Sequence, residues 1–576
     1  MTSQSTLEPS LSSVSNDANG DTSDRGSDRR SIEGAQPSGH LPAVLTRRDL
    51  TMFMVLALLL ISNNNGVQFG GPVVFLYWAI GLVTFLLPCA IVTRWLGRLF
   101  PGQGAPYLWA THVLGSRWSF FSAFCAWVPG IFAIVSTLET SIAFIQYLVP
   151  AWFVTPGQQC VAMLLLLLIA TAITCIPLRW LRHLLVGVGI LCVSVYLLMG
   201  AAGIWWLWSG HSAAVAFNQL GAWQLNGGNF ALYGLIVLAF LGVDLPLFMG
   251  GEIRGGRTAM KHASNYVWWG AVLSFAAYVA GTFGIMVVVP PSQAGTMGAN
   301  IEVISRVFGS YTGNTIAVVV ALSQLIVTVA YILMFSRLLV IVAQDRRLPI
   351  MLTKTNRFGV PVLSIIVQTV LAAFVTVLAF FILPILFGKV ARSVDIALDV
   401  YMVMVATGSA LWLFSTTMLF CFVLTFLYTN KQQLAISKGR VLFLITTSLI
   451  GGIASLIGIW SIVSASWTPT LIPDDRWAIL VWSAILVTLI AGLLTAELPR
   501  VRAQLNEQRR LNGREIVLRE QLQQAFDEQE TLVMQQQELL SEVDRLYREQ
   551  ALAAVTDAIT GLPNHRAIIT RLEEEI

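Results

Sequence analysis

The chain has 576 residues, of which 56% are hydrophobic and only 11% charged, and its mean hydropathy is +0.72. A soluble domain carries about 25% charged residues, so a soluble enzyme, a nucleic-acid-binding module and a disulfide-stapled secreted domain are excluded for its bulk. The net charge of +4 excludes little, because in a membrane protein the placement of charge matters more than its sum.

Residues 1–48 are rich in Ser, Asp, Gly and Arg and nearly devoid of aliphatic runs. They cannot bury enough surface to fold, which predicts a disordered tail. They lack the short apolar core and small-residue cleavage site of a signal peptide. Residues 49–498 form the membrane region. A hydrocarbon core about 30 Å thick needs roughly 20 apolar residues per helix. That ruler predicts an all-α integral membrane protein with twelve spans, near 50–69, 72–95, 118–147, 158–177, 183–208, 229–250, 264–289, 314–342, 361–387, 395–428, 441–464 and 477–498. With the N-terminus inside, twenty of the twenty-four Lys and Arg between Arg47 and Arg502 fall in cytoplasmic segments. Only Arg306, Lys389, Arg392 and Arg476 fall outside, which fits the positive-inside rule, a plasma-membrane protein and two cytoplasmic termini. Six Cys (Cys89, Cys125, Cys160, Cys175, Cys192 and Cys421) lie in or beside apolar runs without a CxxC. They read as small hydrophobes, not as a disulfide framework or a metal site.

Two spans carry interruptions where a membrane helix should be most apolar. The first meets Ser62-Asn63-Asn64-Asn65-Gly66-Val67-Gln68-Phe69-Gly70-Gly71-Pro72 after Ile61. The sixth reads Phe240-Leu241-Gly242-Val243-Asp244-Leu245-Pro246, a carboxylate flanked by Gly and Pro. Gly loosens a helix, Pro removes a donor, and the freed backbone can then coordinate a polar ligand. Two interrupted spans five helices apart, each opening a five-helix repeat, point to a transporter-type binding site. The plainer alternative is a loop end at Asn63–Asn65 and a simple kink at Gly242 and Pro246. Among intramembrane carboxylates, Asp244 is the leading coupling candidate because its helix is already interrupted. Glu139 in the third span is the second candidate, or a satisfied structural carboxyl. Asp395 and Asp399 read as interfacial. No Ser/His/Asp triad, HExxH or Walker loop is present, so no hydrolase or ATPase chemistry is visible.

Three stretches resemble the amino acid/polyamine/organocation permeases. They are Phe100-Pro101-Gly102-Gln103-Gly104-Ala105-Pro106-Tyr107 ahead of Leu114-Gly115 and Trp118, then Gly242-Val243-Asp244 with Gly251-Glu252, and then Ser336-Arg337. The last continues through Ala343-Gln344-Asp345, Leu348-Pro349, Lys354, Asn356 and Gly359-Val360-Pro361. The resemblance covers about residues 49–430 and is nearest to the glutamate/γ-aminobutyrate antiporter-like branch. It implies the leucine-transporter fold, two inverted five-helix repeats plus two helices, with helices 1 and 6 broken. Carried over by position, Asn63, Asn64, Asn65, Gly66 and Gln68 would face Leu241, Gly242, Val243 and Asp244 across the substrate. Half-helix amides would then meet its carboxylate. The chain departs from the family in its Asn-rich first break, in Asp244 where Glu is commoner, and in having no Lys in the fifth helix.

After Pro499 the chain becomes a polar helix, with Leu511, Leu518, Ala525, Leu532, Leu539, Leu546 and Ala553 at an unbroken spacing of seven. That line predicts a coiled-coil stalk over residues 499–555 and a homodimer. Its companion seam of Glu515, Leu522, Gln529, Gln536, Val543 and Gln550 is weaker, which leaves a solvated single helix as the alternative. Residues 556–576 open with Thr556-Asp557-Ala558-Ile559-Thr560-Gly561-Leu562-Pro563-Asn564-His565-Arg566, which resembles the start of GGDEF (diguanylate cyclase) domains. The chain stops at Ile576, inside what would be that domain's first helix. No catalysis or cofactor is therefore expected of these residues, whereas a full cyclase would need Mg and GTP.

The leading expectation is a permease-like module that binds an amino acid or related amine between helices 1 and 6 and is coupled to a cyclase output. The alternatives are an ordinary secondary transporter dimerised by its terminal helix, and a bundle that only anchors a signalling domain. The expected partners are the small-molecule substrate, the lipid bilayer and a second copy, with no nucleic acid.

Overall fold

The computed structural model describes residues 41–63, 68–294, 298–387, 393–430, 437–467, 472–557 and 559–576. Asn64, Asn65 and Gly66 lie outside the described residues, as do the side chains of Gln68 and Asp395. The chain divides into two compact units, residues 1–496 and 497–576.

In the first unit the long apolar runs form helices because buried backbone groups in a membrane must pair within their own segment. The first expected span is short: α1, Arg47–Leu58, ends after 12 residues. It is followed by the membrane-length spans Gly70–Leu99 (α2), Trp118–Leu148 (α3), Pro156–Thr174 (α4) and Leu178–Trp208 (α5). The sixth expected span is also broken. Its helix α6, Ala231–Ala239, has 9 residues, and a separate 3-10 turn covers Leu245–Glu252. Then come α7 (Tyr266–Val288), α8 (Ser310–Gln344), α9 (Val362–Leu386), α10 (Ser393–Thr429) and α11 (Lys438–Ser464). The last helix, α12, is Asp474–Val555, and its stretch Asp474–Glu497 is the tenth segment long and apolar enough to cross a membrane.

The described residues include several ahead of the expected boundary at residue 49. Leu45 is fully buried and pairs with Ile253 in a parallel bridge. It belongs to the first unit.

The core is built on two helix pairs, α3 with α8 antiparallel and α5 with α7 parallel. α3 and α8 are joined by Thr137 and Thr328, whose hydroxyls lie 2.8 Å apart, and by Ser141 donating to the Ala321 carbonyl at 2.8 Å. α5 and α7 meet at small residues: a Cβ on Gly284 would lie 2.3 Å from the Met199 carbonyl oxygen, so only glycine allows this approach. At the other extreme, α12 leaves Ile479, Val487 and Leu494 about two-thirds exposed, an apolar face suited to lipid. All six cysteines are free.

In the second unit the helical residues from 508 to 555 are exposed throughout. A tight turn follows, in which the Asp557 Oδ1 accepts from the Ile559 and Thr560 amides and the Thr560 hydroxyl, each at 3.1 Å. Asn564 then caps α13, His565–Glu574, by accepting from the Ala567 amide at 3.0 Å.

Candidate functional site

The break in α1 begins inside the Leu-rich run, just ahead of Ser62 and Asn63, whose short polar side chains compete for the backbone and weaken a helix. Leu59 leaves helical geometry at φ −85, ψ 67. The carbonyls thus freed are taken by three tyrosines from other helices. Tyr331 of α8 donates to the Ala57 carbonyl at 2.7 Å. Tyr278 of α7 donates to the Leu58 carbonyl, and Tyr196 of α5 donates to the Leu60 carbonyl at 3.2 Å. The Tyr278 hydroxyl also accepts from the Asn63 side-chain amide at 3.3 Å. Trp78 stacks on the Tyr278 ring at a centroid distance of 4.8 Å and fixes its position.

The break after α6 turns on Gly242, at φ +102, a conformation that an L side chain rarely adopts. A Cβ there would lie 3.2 Å from Trp412 and 3.3 Å from Ala57, so the turn also brings α1, α6 and α10 together. The Val243 carbonyl accepts from the Tyr266 hydroxyl at 2.6 Å. Asp244 precedes the 3-10 turn, and its carbonyl accepts from the Leu247 amide at 2.9 Å.

Between the two breaks is a cavity of about 50 Å³. Ala57, Leu60 and Asn63 line it from the first break, and Leu238 and Leu241 from the sixth. Ser136 of α3, Tyr331 of α8 and Trp412 of α10 complete the wall. Of the residues expected to surround a substrate, Asn63 and Leu241 therefore line one space, and Gly242 lies just behind it. Val243 and Asp244 are not among the lining residues; Asp244 lies near Cys89 and Tyr266 instead. Asn64, Asn65 and Gly66 fall outside the described residues. Glu139 lies three residues beyond Ser136 on α3, and Tyr401 of α10 lies near both: its hydroxyl donates to Ser136 Oγ at 3.1 Å, with the Glu139 carboxyl close by.

Sequence reasoning missed the tyrosines. The available signal was their depth, because membrane tyrosines concentrate at the interfaces, whereas Tyr278 and Tyr331 lie well inside their helices.

At the α1 N-terminal end, two of the stretches singled out in the sequence meet. Arg337 of α8 pairs with Glu252 through Nε and Oε1 at 2.7 Å. The Val44 and Leu45 amides donate to the Glu252 carbonyl at 2.9 Å, and the Arg254 amide donates to the Leu45 carbonyl at 2.9 Å. Arg182 of α5 donates to the Val44 carbonyl at 2.6 Å. No group of three or more His, Cys, Asp or Glu able to hold a metal is found among the described residues.

The model of the family described as "Amino acid permease" matches residues 50–493. An uncharacterized transporter of Legionella pneumophila subsp. pneumophila is 23% identical over 58% of this chain and 72% of its own length. A protein named a probable agmatine/putrescine antiporter, AguD, of Lactococcus lactis subsp. lactis, is 22% identical over 44% of this chain and 53% of its own. Among solved structures, MhsT in complex with L-phenylalanine superposes with a TM-score of 0.50 at 14% identity. That match covers 73% of this chain and 99% of MhsT, and it shows a shared leucine-transporter-type fold. The chain belongs to the amino acid permease family and is a multi-pass membrane transporter of that type.

Proposed function

We propose that the chain binds an amino acid or related amine in the space between the breaks of α1 and α6. The carrying observation is the cavity that Asn63 and Leu241 share, floored by backbone that has left helical geometry. Twelve crossings, ten continuous and two broken, with both termini cytoplasmic, accommodate this site at mid-depth. In this reading Arg337 and Glu252 close the cytoplasmic side while Tyr401 and Glu139 cross the outer side. Alternating access releases one closure at a time, and a ligand biases it by its differential affinity for the two states. The likeness to a probable agmatine/putrescine antiporter extends the substrate class to amines. Uptake of labelled amino acids and amines into proteoliposomes, with and without proton, sodium and counter-substrate gradients, tests transport. Gradient-independent absence of uptake for every probe would leave a receptor.

A second reading adds an output. Leu511, Leu518, Leu532, Leu539 and Leu546 are each more than half exposed in the single chain, as a seam awaiting a second helix would be. The capped turn at Asp557 follows directly. On this reading the stalk dimerises and carries the state of the permease to a diguanylate cyclase domain. Cyclic di-GMP synthesis by the protein together with such a domain should then respond to ligand. A ligand-independent rate would leave the bundle as an anchor, and no synthesis would leave the stalk as a dimerising helix.

A further inference from the structure

The polarity of the space between the two breaks identifies which end of a ligand it receives. α1 ends at Leu58 and α6 ends at Ala239, and residues just before and after both ends line the cavity. A helix C-terminus carries a partial negative charge of about half an electron. Two such ends converge on one small space, the α1 end partly offset by the tyrosine hydroxyls that its carbonyls accept from. The aromatic rings of Tyr331 and Trp412, whose π systems attract cations, also line it. No Lys, Arg or His is among the residues lining the cavity.

Glu139 adds a carboxyl group. On α3 the lining residues Pro129, Phe132, Ala133 and Ser136 form one stripe at helical spacing, and Glu139 continues it by one step. On α10 the lining residues Trp412, Gly408 and Val405 form the facing stripe, which Tyr401 continues in the same direction. Tyr401 has a single hydroxyl proton, and Ser136 and Glu139 share its reach. The Glu139 Oε2 is buried and has no hydrogen-bond partner among the described residues. An acceptor left so costs free energy that an incoming cation can recover.

We propose that Glu139 is the counter-ion for the ammonium group of the ligand, so that the site selects organic ammonium compounds and rejects carboxylates lacking one. This rests on the ligand site proposed above and assigns to Glu139 a specificity-determining role. An ammonium held between Glu139, the aromatic rings and the two helix ends satisfies Oε2 and leaves the Tyr401 proton to Ser136.

Three probes on the same four-carbon skeleton test this: 1,4-diaminobutane, γ-aminobutyrate and succinate, titrated against the full chain in lipid nanodiscs. The wild type is expected to bind the two ammonium probes and to bind succinate at least about tenfold more weakly, the size of one charge-assisted hydrogen bond. Glu139→Gln preserves shape and should weaken the ammonium probes by a similar factor, while Glu139→Asp should recover part of the loss. Should Glu139→Gln fail to yield folded protein, the Glu139→Asp ratio of diaminobutane to succinate affinity decides, and it should fall. Equal binding of the ammonium probes by wild type and Glu139→Gln, or succinate binding as tightly as diaminobutane, overturns the assignment. Binding of leucine with equal affinity by the wild type and Glu139→Gln overturns it too, yet leaves the proposed site standing; failure of every probe, leucine included, removes both.

Discussion

Arg337 and Glu252, 85 positions apart, form an ion pair of 2.7 Å in which both side chains are at most 1% exposed. Glu252 is at the same time the main-chain acceptor for Val44 and Leu45. One residue thus holds the entry to α1 by its backbone and the far part of α8 by its side chain. Removing one partner of a buried pair leaves the other charge uncompensated, at a cost of about 3–5 kcal/mol. Arg337→Ala should therefore lower thermal stability in detergent sharply. Arg337→Met combined with Glu252→Leu should recover much of it. A melting curve for Arg337→Ala that matches the wild type would show that the pair contributes little.

The freed carbonyls of α1 make a second prediction. Tyr278→Phe removes the donor to Leu58 and the acceptor for Asn63 while keeping the ring that Trp78 stacks upon. A buried acceptor left unsatisfied costs about 1–3 kcal/mol. Loss of that size in an unfolding titration, together with weaker ligand binding, is expected. Tyr266→Phe, at the Val243 carbonyl, should lose comparable stability.

Gly242 supplies a third. At φ +102 with Trp412 and Ala57 against the place of a Cβ, Gly242→Ala forces either strain or a shift of the sixth break. A side chain in so sparse a region costs on the order of 1–3 kcal/mol. Ligand affinity should fall more than global stability, since the shift is local to the cavity; equal affinity at wild-type stability would contradict this.

The turn at Asp557 is pH-dependent with a definite sign. Three hydrogen-bond donors hold its carboxylate below the ordinary range. A depressed carboxylate contributes stability that is complete above its unfolded value of about 4 and is lost as pH falls through the lower folded value. Amide exchange at Ile559 and Thr560, corrected for intrinsic rate, should therefore be slow at neutral pH and accelerate on acidification below about 4. Asp557→Asn should abolish the transition.

How much of this was legible follows from what each feature depends on. The ten continuous spans were readable because length and hydropathy are local. Both breaks were readable too, since Asn63 and the Gly242–Pro246 stretch oppose a helix by their own chemistry. The partners of the breaks were not: Tyr331 meets Ala57 from 274 positions away, a relation set by packing of whole helices. Asp244 stood out because Gly and Pro flank it, yet local sequence does not say which face of a broken helix a side chain takes. It lies near Cys89 and Tyr266, away from the cavity wall. Glu139 was the second candidate by its intramembrane place alone, and its register with the cavity-lining Ser136 becomes visible only once the cavity is drawn. Glu252 and Arg337 were both noticed, but nothing in one dimension pairs them.

The central claim is that the ligand occupies the space shared by Asn63 and Leu241. Leu241→Trp fills a cavity of about 50 Å³ from its wall, so equilibrium binding of the best probe to this variant in nanodiscs is the most direct test. The account predicts that binding is lost while the protein stays folded and monodisperse. A binding isotherm that superposes on the wild type would place the ligand elsewhere and contradict it.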